Sequence, residues 1–381
     1  MKLTADWLTD PGPKSVIEML SKDHRAYFVG GCVRNALLGA PVSDIDVATS
    51  ARPHEVLELA DRAGLRAIPT GIDHGTVTIV AENHPIEVTT FRRDVATDGR
   101  RATVAYAETP EEDAQRRDFT MNALYTDRDG EMLDPVGGIA DLQARRVRFI
   151  GDPAARIRED FLRILRFFRF HAWYGDPGAG IDAEGLAACA ELADGLDRLS
   201  AERIWHELKR LLAAPDPAPA VASMAASGVL ARVLPGADPA ALPVLVHNEQ
   251  KLGLGPDPIR RLALIAPDTD PRSLRLSRDE ARRLGTLARA ASESEPPEVQ
   301  GYRYGADTAL DAALIRAARS GEEIDPDTPE KANEGAAQRL PVSAADFMPD
   351  LTGAALGEAL RSAEERWIAS GFRLGRADLL P

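Results

Sequence analysis

The sequence FVGGCVRNALLG occupies positions 28–39 and is continued by DID at 44–46. It begins with a β-prone run that Gly30 and Gly31 end, and the residues after these glycines are compatible with a helix. A turn from strand to helix leaves backbone N–H groups free at the helix start, where they and the helix dipole attract phosphate oxygens. Arg34 lies one turn into the predicted helix and reaches the same anion. The stretch therefore predicts a phosphate-binding turn.

The acids that follow alternate with apolar residues in the period of a β-strand. Asp44 and Asp46 then project from one face, while Ile45 and Val47 point into the core. Two carboxylates on one face suit Mg²⁺, and a two-metal centre that joins a nucleophile to a nucleoside triphosphate needs such a pair. Glu87, on another predicted strand, is a candidate third carboxylate. The alternative interpretation is that the pair are surface acids and Glu87 a half-exposed strand acid.

The rest of the chain predicts a mixed N-terminal part and a helical remainder. Alternating segments at 76–80 and 86–89 are typical of a hairpin, and the polar, irregular segment 92–108 predicts a mobile loop. From about residue 153 onward almost every run has helical spacing. The fold class is therefore an α/β head followed by an elongated all-helical part.

The composition excludes several classes of protein. The chain has 381 residues and a net charge of −14, which argues against a protein that coats nucleic acid non-specifically. Its two cysteines, Cys32 and Cys189, are too few for a disulfide framework or a four-cysteine zinc site. No apolar run is long enough for a membrane span, and the first residues lack the pattern of a secretory signal. We expect a cytoplasmic protein with no membrane partner.

The basic residues are unevenly distributed. Between positions 141 and 175 eight arginines stand against four acids. A basic stripe on an acidic chain suits a protein that contacts a polyanion with one face. The alternative is an ordinary solvated helix face.

Five motifs, in order, resemble the signature of the class II tRNA nucleotidyltransferase and bacterial poly(A) polymerase superfamily. They lie between about residues 28 and 207, and they are FVGGCVRNALLG with DID at 28–46, RRDFTMNAL at 116–124, DPVGG at 134–138, EDFLRILR at 159–166 and LSAERI at 199–204. One position departs from the family pattern, since Asn35 stands where the family usually has Asp. An amide at this position can still form local hydrogen bonds.

The resemblance implies an α+β fold and a division of the chain. A nucleotidyltransferase head with a small mixed β-sheet and helices would occupy residues 1–142. The all-α remainder would form a neck that selects the nucleotide at 143–212, a body at 213–290 and a tail that binds tRNA at 291–381.

The resemblance also implies an activity and a site. The implied enzyme is a CCA-adding tRNA nucleotidyltransferase, which extends the tRNA 3′ end from CTP and ATP and does not act on DNA. Two Mg²⁺ ions on Asp44 and Asp46 would assist the reaction, with Glu87 as a further catalytic carboxylate. The implied nucleotide-binding residues are Gly31, Arg34, Arg117, Asp160, Arg163, Arg166 and Arg169.

Asp160 and Arg163 offer a way to choose between bases. In a continuous helix they are neighbours at i and i+3. Cytosine and adenine both present an exocyclic amine beside an unprotonated ring nitrogen, so a carboxylate and a guanidinium fit both bases and reject uracil and guanine. The family is understood to use these two residues as an amino-acid template. From spacing alone, an ordinary surface pair is the alternative.

Five other functions are the alternatives. An enzyme that adds only A and a poly(A) polymerase share the head, although this chain lacks the basic C-terminal extension usual in the polymerases. CC-only addition is disfavoured, because the family's CC-only enzymes tend to lack a loop such as the one at 92–101. An inactive tRNA-binding module would have no need of Asp44, Asp46, Asp160 and Arg163 together. A nucleotidyltransferase that acts on a small molecule or a protein would not need the helical part.

Overall fold

The computed structural model describes residues 1–95 and 103–380. The chain divides into two compact units, Met1–Val233 and Leu234–Pro381. The strands all belong to the first unit, and they are β1 (Ala26–Val29), β2 (Ile45–Thr49), β3 (Arg66–Gly71), β4 (Thr76–Ala81), β5 (His84–Thr90), β6 (Arg92–Val95), β7 (Thr103–Tyr106), β8 (Tyr125–Thr126) and β9 (Met132–Leu133).

The α-helices are distributed over both units. Those of the first unit are α1 (Pro11–Leu20), α2 (Gly31–Leu37), α3 (Pro53–Arg62), α4 (Pro110–Gln115), α5 (Gly138–Gln143), α6 (Pro153–Glu159), α7 (Leu162–Tyr174), α8 (Ala183–Glu191), α9 (Ala201–Leu212), α10 (Ala218–Ala226) and α11 (Val229–Val233). Those of the second unit are α12 (Leu242–Lys251), α13 (Pro258–Ile265), α14 (Arg278–Ser292), α15 (Pro297–Tyr304), α16 (Ala306–Ser320), α17 (Thr328–Ala337), α18 (Gly353–Ala369) and α19 (Arg376–Leu379).

Seven strands form a mixed sheet in the order β3-β4-β5-β2-β1-β8-β9. The central strand β2 pairs parallel with β5, in a register that sets Asp46 opposite Glu87, and antiparallel with β1. Val47 and Val88 are fully buried beside these acids. Val47 and Ala48, on opposite faces of β2, are both buried, whereas Asp46, on the same face as Ala48, is half-buried near the start of the strand.

The sequence predicts this head well, with one error. The strand at 27–29, the helix after the glycines and the hairpin of β4 and β5 are confirmed. The expectation of an irregular loop over 92–108 is wrong at its ends, because β6 and β7 pair antiparallel from Arg92 with Tyr106. The part of that segment at 96–102 lies outside the described residues.

The helices after the head pack against it through aromatic side chains. The rings of Phe119, Phe149, Phe167 and Phe170 contact one another with centroid separations of 4.9–6.3 Å. Phe119 belongs to the head, Phe149 follows the head in the chain, and the last two lie on α7; all four are buried. This cluster makes the head and the following helices up to Val233 one compact unit.

The second unit contains a buried network of charged side chains. Glu249 on α12 accepts from Arg260 at 2.8 Å and from Arg261 at 2.6 Å, both on α13. Arg260 also pairs with Asp311 on α16 at 2.8 Å. All four residues are 5% exposed or less. The network therefore fixes three helices relative to one another by groups that must stay paired.

The helices α15 and α17 of this unit pack so closely that their backbones touch. A Cβ at Gly335 would lie 1.9 Å from the carbonyl oxygen of Glu298, and one at Gly301 would lie 2.2 Å from that of Ala332. Only glycine fits at these two positions. None of the helices in the described part of the chain is long and apolar enough to cross a membrane.

Candidate active site

A cavity of about 560 Å³ opens in the first unit where the turn before α2, the start of β2 and the helices α7 and α9 meet. Most of its lining is polar or charged. The lining residues are Gly30, Gly31, Arg34, Asn35, Val42, Ser43, Asp44, Asp46, Arg117, Asp118, Asn122, Arg166, Arg169, Phe170, Trp173, Tyr174 and Arg210.

The two predicted carboxylates both line this cavity. Asp46 is half-buried in β2, whereas Asp44 is exposed just before the strand and accepts a hydrogen bond from the Ser43 hydroxyl at 2.8 Å. Glu87 does not line the cavity, although the register of β5 sets it directly beside Asp46. The two predicted carboxylates therefore line the cavity together with Asp118, and Glu87 lies on the strand next to Asp46.

The protein itself disfavours the charge on Asp46. Burial, together with the negative charges of Glu87 and Asp44, raises the pKa of Asp46 to about 6, although Arg117 opposes the shift. A cation at the two carboxylates would compensate this repulsion, and hard divalent cations prefer oxygen ligands of this kind. The donor set of Asp44 and Asp46 therefore fits a Mg²⁺ ion. Among the described residues no three His, Cys, Asp or Glu side chains converge on one point, so further ligands would come from substrate and water.

The turn before α2 has the geometry that the sequence predicts. Gly30 has φ of +75°, a conformation that favours glycine, and the next residue starts the helix. The side chain of Arg34 is buried and donates to the carbonyl oxygens of the Asn35 and Asn122 side chains and to the Tyr174 hydroxyl, the last at 2.8 Å. Its guanidinium also lies over the Tyr174 ring at 4.1 Å from the centroid. These partners fix its position at the cavity wall.

Arg117 is held from behind by buried acceptors. It donates to Asp113 at 2.9 Å and to the Tyr125 hydroxyl at 3.1 Å. Burial alone would lower the pKa of Arg117, but Tyr125 and Asp113 raise it, so the group stays charged. Arg117 thus brings a fixed positive charge to the cavity.

Arg166 and Arg169 lie one turn apart on α7, and each pairs with a carboxylate of another element. Arg166 donates to Asp118 at 2.5 Å, and Arg169 donates to Glu207 of α9 at 2.6 Å. Burial would raise the pKa of Asp118, but Arg166 and a hydrogen bond from Asn122 hold it at about 2. These pairs orient both guanidinium groups in the cavity.

The structure does not bring Asp160 and Arg163 to the lining of this cavity. The expectation of one helix that carries both residues is wrong. Asp160 has φ −152° and ψ 107°, which ends α6, and its carboxylate caps α7 by accepting from the Leu162 N–H at 3.1 Å. The same carboxylate pairs with Arg203 of α9 at 2.7 Å. At this break the Asp160 carboxylate satisfies one of the free N–H groups at the start of α7, which is a position that aspartate favours.

Arg163 is also engaged elsewhere. It donates to the Glu159 carboxylate at 2.5 Å and to the backbone carbonyls of Arg156 and Arg116 at 2.8 Å and 3.0 Å. The two residues are therefore close in the chain, but each has its own partners.

The cavity also contains residues that the sequence prediction did not assign to a site. Asp118 and Asn122 lie within the second motif, at 116–124, so their neighbour Arg117 was a signal for them. Phe170 and Trp173 continue the spacing of Arg166 and Arg169 along one face of α7. Tyr174 follows the same spacing, four residues after Phe170, and contacts Arg34 of α2. Arg210 has no such signal, since only the packing of α7 against α9 brings it here.

Two family descriptions match separate parts of the chain. The poly A polymerase head domain matches residues 26–148. The probable RNA and SrmB- binding site of polymerase A matches residues 180–241. The first covers the sheet with its two acids, and the second covers α8 to α11.

The curated relatives are similar over about half of the chain. The Homo sapiens protein named CCA tRNA nucleotidyltransferase 1, mitochondrial, is 44% identical over 203 residues, which are 53% of this chain and 47% of that protein. A CCA-adding enzyme of Streptococcus gordonii is 44% identical over 192 residues, which are 50% of this chain and 46% of that enzyme. The chain thus matches about half the length of these curated relatives.

Solved structures are similar over nearly the whole chain. The Bacillus stearothermophilus CCA-adding enzyme in complex with CTP has a TM-score of 0.72 and 28% identity, covering 94% of this chain and 92% of that one. The Thermotoga maritima CCA-adding enzyme complexed with tRNA has a TM-score of 0.68 at 18% identity, covering 96% and 92%. The second likeness concerns the fold alone.

Proposed function

We propose that this chain, which belongs to the family of class II CCA-adding enzymes and bacterial poly(A) polymerases, adds C, C and A stepwise to the 3′ end of tRNA. The substrates are CTP and ATP, and pyrophosphate is released. The observation that carries the proposal is the cavity itself, in which Asp44 and Asp46 face a set of fixed arginines beside the Gly30 turn. The similarity of this half of the chain to CCA-adding enzymes supports the choice of substrate.

The reaction transfers a nucleotidyl group from the triphosphate to the RNA 3′-hydroxyl. Arg34 and Arg117, with the backbone N–H groups at Gly31, bind the triphosphate and balance the charge on the departing pyrophosphate. Asp44 and Asp46 would hold divalent cations, with Glu87 on the strand next to Asp46. When bound, such ions polarise the attacking hydroxyl and the phosphate oxygens. We propose that two such ions bind.

The arginine side chains of the cavity are held in place before substrate arrives. Arg166 and Arg169 are held by Asp118 and Glu207, and Arg117 is held by Asp113. A preorganised site need not spend binding energy on ordering these side chains. We propose that Arg166 and Arg169 also bind the nucleotide.

Nucleotide choice is assigned to Asp160 and Arg163. For both to read a base, Asp160 must exchange its contact with Arg203 for the base amine, and Arg163 must exchange Glu159 for the ring nitrogen. Each exchange breaks an ion pair and forms a charge-assisted hydrogen bond to the base, and it releases Arg203 or Glu159 to solvent. A base with a carbonyl and a ring N–H at this edge cannot make either contact.

The variant Asp160→Ala is therefore expected to lose discrimination against UTP by about tenfold or more, since a mismatched bidentate contact costs about 1–3 kcal/mol. The measurement is kcat/KM for CTP, ATP and UTP with the same RNA acceptor. Arg203→Ala is the matched control, because it removes the ion pair with Asp160 and leaves the carboxylate in place. Unchanged selectivity in Asp160→Ala would contradict the template assignment.

The decisive test of the function uses a tRNA transcript that lacks its 3′ CCA, with CTP, ATP and Mg²⁺, followed by sequencing of the product ends. Ends that read CCA and stop there support the proposal. Ends extended only when CC is already present indicate an A-adding enzyme, and long A tails indicate a poly(A) polymerase. Absence of extension would indicate a binding module. The cytoplasmic location stays a prediction.

A further inference from the structure

Trp173 is a large apolar side chain that the fold leaves in contact with solvent at the cavity. It is 43% exposed, whereas most large apolar side chains of the described chain are buried. Its indole N–H donates to the backbone carbonyl of Arg210 at 2.8 Å, so the ring is anchored at one edge. An exposed ring that a hydrogen bond holds in place is a surface on which another flat group can stack.

Trp173 separates the charged cavity from a second pocket. This pocket has a volume of about 340 Å³, and its walls include Leu38, Ala40, Pro41, Arg145, Trp173 and Tyr174. Asn35, Trp173 and Tyr174 line both spaces, so the two are adjacent at these side chains. A ligand that extends out of the charged cavity therefore passes along these aromatic rings.

Arg145 is the cation of the second pocket. Its neighbours Arg146 and Arg148 both pair with Asp141, but Arg145 forms no ion pair with a carboxylate of the described residues. Its backbone has φ of +49°, which is uncommon for a residue with a side chain, and its carbonyl accepts from the Asp176 N–H at 3.0 Å. That contact ties Arg145 to the segment that follows Trp173 at the end of α7.

The two spaces differ in the chemistry that they accept. The charged cavity contains the arginines that a triphosphate requires, together with both carboxylates. The walls of the second pocket are mostly apolar, with Asn35 as a polar member and Arg145 as its cation, which suits an uncharged base beside one phosphodiester group. A reaction between a triphosphate and an RNA end needs both partners at the same carboxylates, so the acceptor needs a place next to the triphosphate.

We infer that Trp173 and Arg145 form a subsite for the unpaired 3′ end of the acceptor RNA, in which a base next to the reacting nucleotide stacks on the indole and its phosphate contacts the guanidinium. The inference rests on the proposed function for the identity of the acceptor as tRNA. The stacking of an unpaired base on an aromatic ring is itself independent of base sequence. The subsite therefore serves successive additions, in which the terminal base changes from one step to the next.

The test measures equilibrium binding without nucleotides or metal. Two labelled RNA hairpins are compared by fluorescence anisotropy, one with unpaired 3′ nucleotides and one with a blunt end. Trp173→Ala is expected to weaken binding of the first hairpin about tenfold, as loss of one stacked base does, and to leave the blunt hairpin unchanged. Trp173→Phe keeps an aromatic ring and should recover most of the affinity. Ile72→Ala is the control, because Ile72 is 42% exposed and lines neither space.

The contribution of Arg145 has a separate signature. Loss of one phosphate contact to a single strand lowers the salt dependence of binding, so Arg145→Ala should reduce the slope of log K against log salt by about 0.7. Arg128→Ala, which removes an exposed arginine of the same unit outside both spaces, should leave the slope for the unpaired end unchanged.

The outcomes separate this inference from the proposed function. Equal affinity of Trp173→Ala and the unchanged protein for the unpaired end overturns the inference, even where CCA addition is observed. A higher KM for CTP and ATP with unaltered RNA binding also overturns it and assigns the ring to the incoming nucleotide. If the protein adds no nucleotide but its binding of unpaired ends depends on Trp173, the inference stands and the proposed function fails.

Discussion

Asp46 shows how one residue can be unfavourable for the empty protein and useful for binding a cation. Its carboxylate lies in β2 beside Glu87 and near Asp44, and these charges with burial raise its pKa to about 6. Such repulsion between carboxylates is unfavourable for the empty protein, and it is relieved by a cation or by a proton. The period-two pattern of the strand was sufficient to predict that the two aspartates share a site.

Replacing both aspartates should abolish the reaction and spare the fold. The double variant Asp44→Asn with Asp46→Asn is expected to lower kcat about 100-fold or more, because a bound metal contributes several kcal/mol of charge stabilisation. The melting temperature of this variant should not fall, since the change removes the repulsion of Asp46 with Glu87 and Asp44. The measurements are nucleotide incorporation and circular dichroism. Asp73→Asn, which changes an exposed acid outside the cavity, is the control, and full activity of the double variant would contradict the mechanism.

At the level of secondary structure elements, the break between α6 and α7 shows where sequence reasoning stops. The segment at 159–166 has helical spacing, yet Asp160 adopts an extended conformation and caps the helix that follows. An aspartate is compatible with a helix interior and preferred at a helix start, so its local sequence does not decide between the two. Contact with Arg203 of α9, which is 43 residues away in sequence, favours the cap. The head, by contrast, depends on strand periods and glycines that local sequence does encode.

The short helix α4 allows a prediction about acid stability. Asp113 in α4 is buried and pairs with Arg116 and Arg117. Burial would raise the pKa of Asp113, but these arginines and two hydrogen bonds hold it at about 2, below the value of about 3.9 in an unfolded chain. The ion pairs therefore stabilise the fold above about pH 4, and this contribution, on the order of 2 kcal/mol, is lost as the pH falls toward 2.

Asp113→Asn should consequently destabilise the protein at pH 7 and flatten the decline of stability with acid. Urea unfolding at a series of pH values between 7 and 3 measures both effects. Glu111→Gln is the matched control, because Glu111 is an exposed acid of the same helix. A parallel acid decline in the unchanged protein and in Asp113→Asn would show that this carboxylate does not titrate as described.

At the scale of the whole molecule, the two units differ in what their buried charges do. In the first unit, carboxylates hold arginines that line a cavity, whereas Glu249 in the second unit holds Arg260 and Arg261 within a helical core. Overall composition gives no indication of this difference, because the net charge of −14 is a sum over the whole chain and does not show which charges are buried. The helical character of the second unit was predictable from spacing. Its ion network was not, since it joins side chains up to 62 residues apart, Glu249 and Asp311 included.

Glu249→Ala should destabilise the second unit by about 3–5 kcal/mol, as expected when one partner of a buried ion pair is removed. Hydrogen exchange of the full chain should then show lost protection in α12, α13 and α16. Arg282→Ala removes an exposed pair with Asp279 and is expected to change stability by less than about 1 kcal/mol. Full protection of these helices in Glu249→Ala would mean that the network is not needed for their packing.

The uneven exposure of the tryptophans also gives the protein an optical reporter. Of the four in the sequence, Trp7, Trp205 and Trp367 are 8%, 7% and 2% exposed, and Trp173 is 43% exposed at the cavity. A dissolved quencher such as iodide therefore reaches one indole in preference to the other three, and water around that indole shifts its emission to longer wavelength. Occupancy of the cavity mouth can thus be followed on the unlabelled chain, as a loss of quenching and a blue shift during titration.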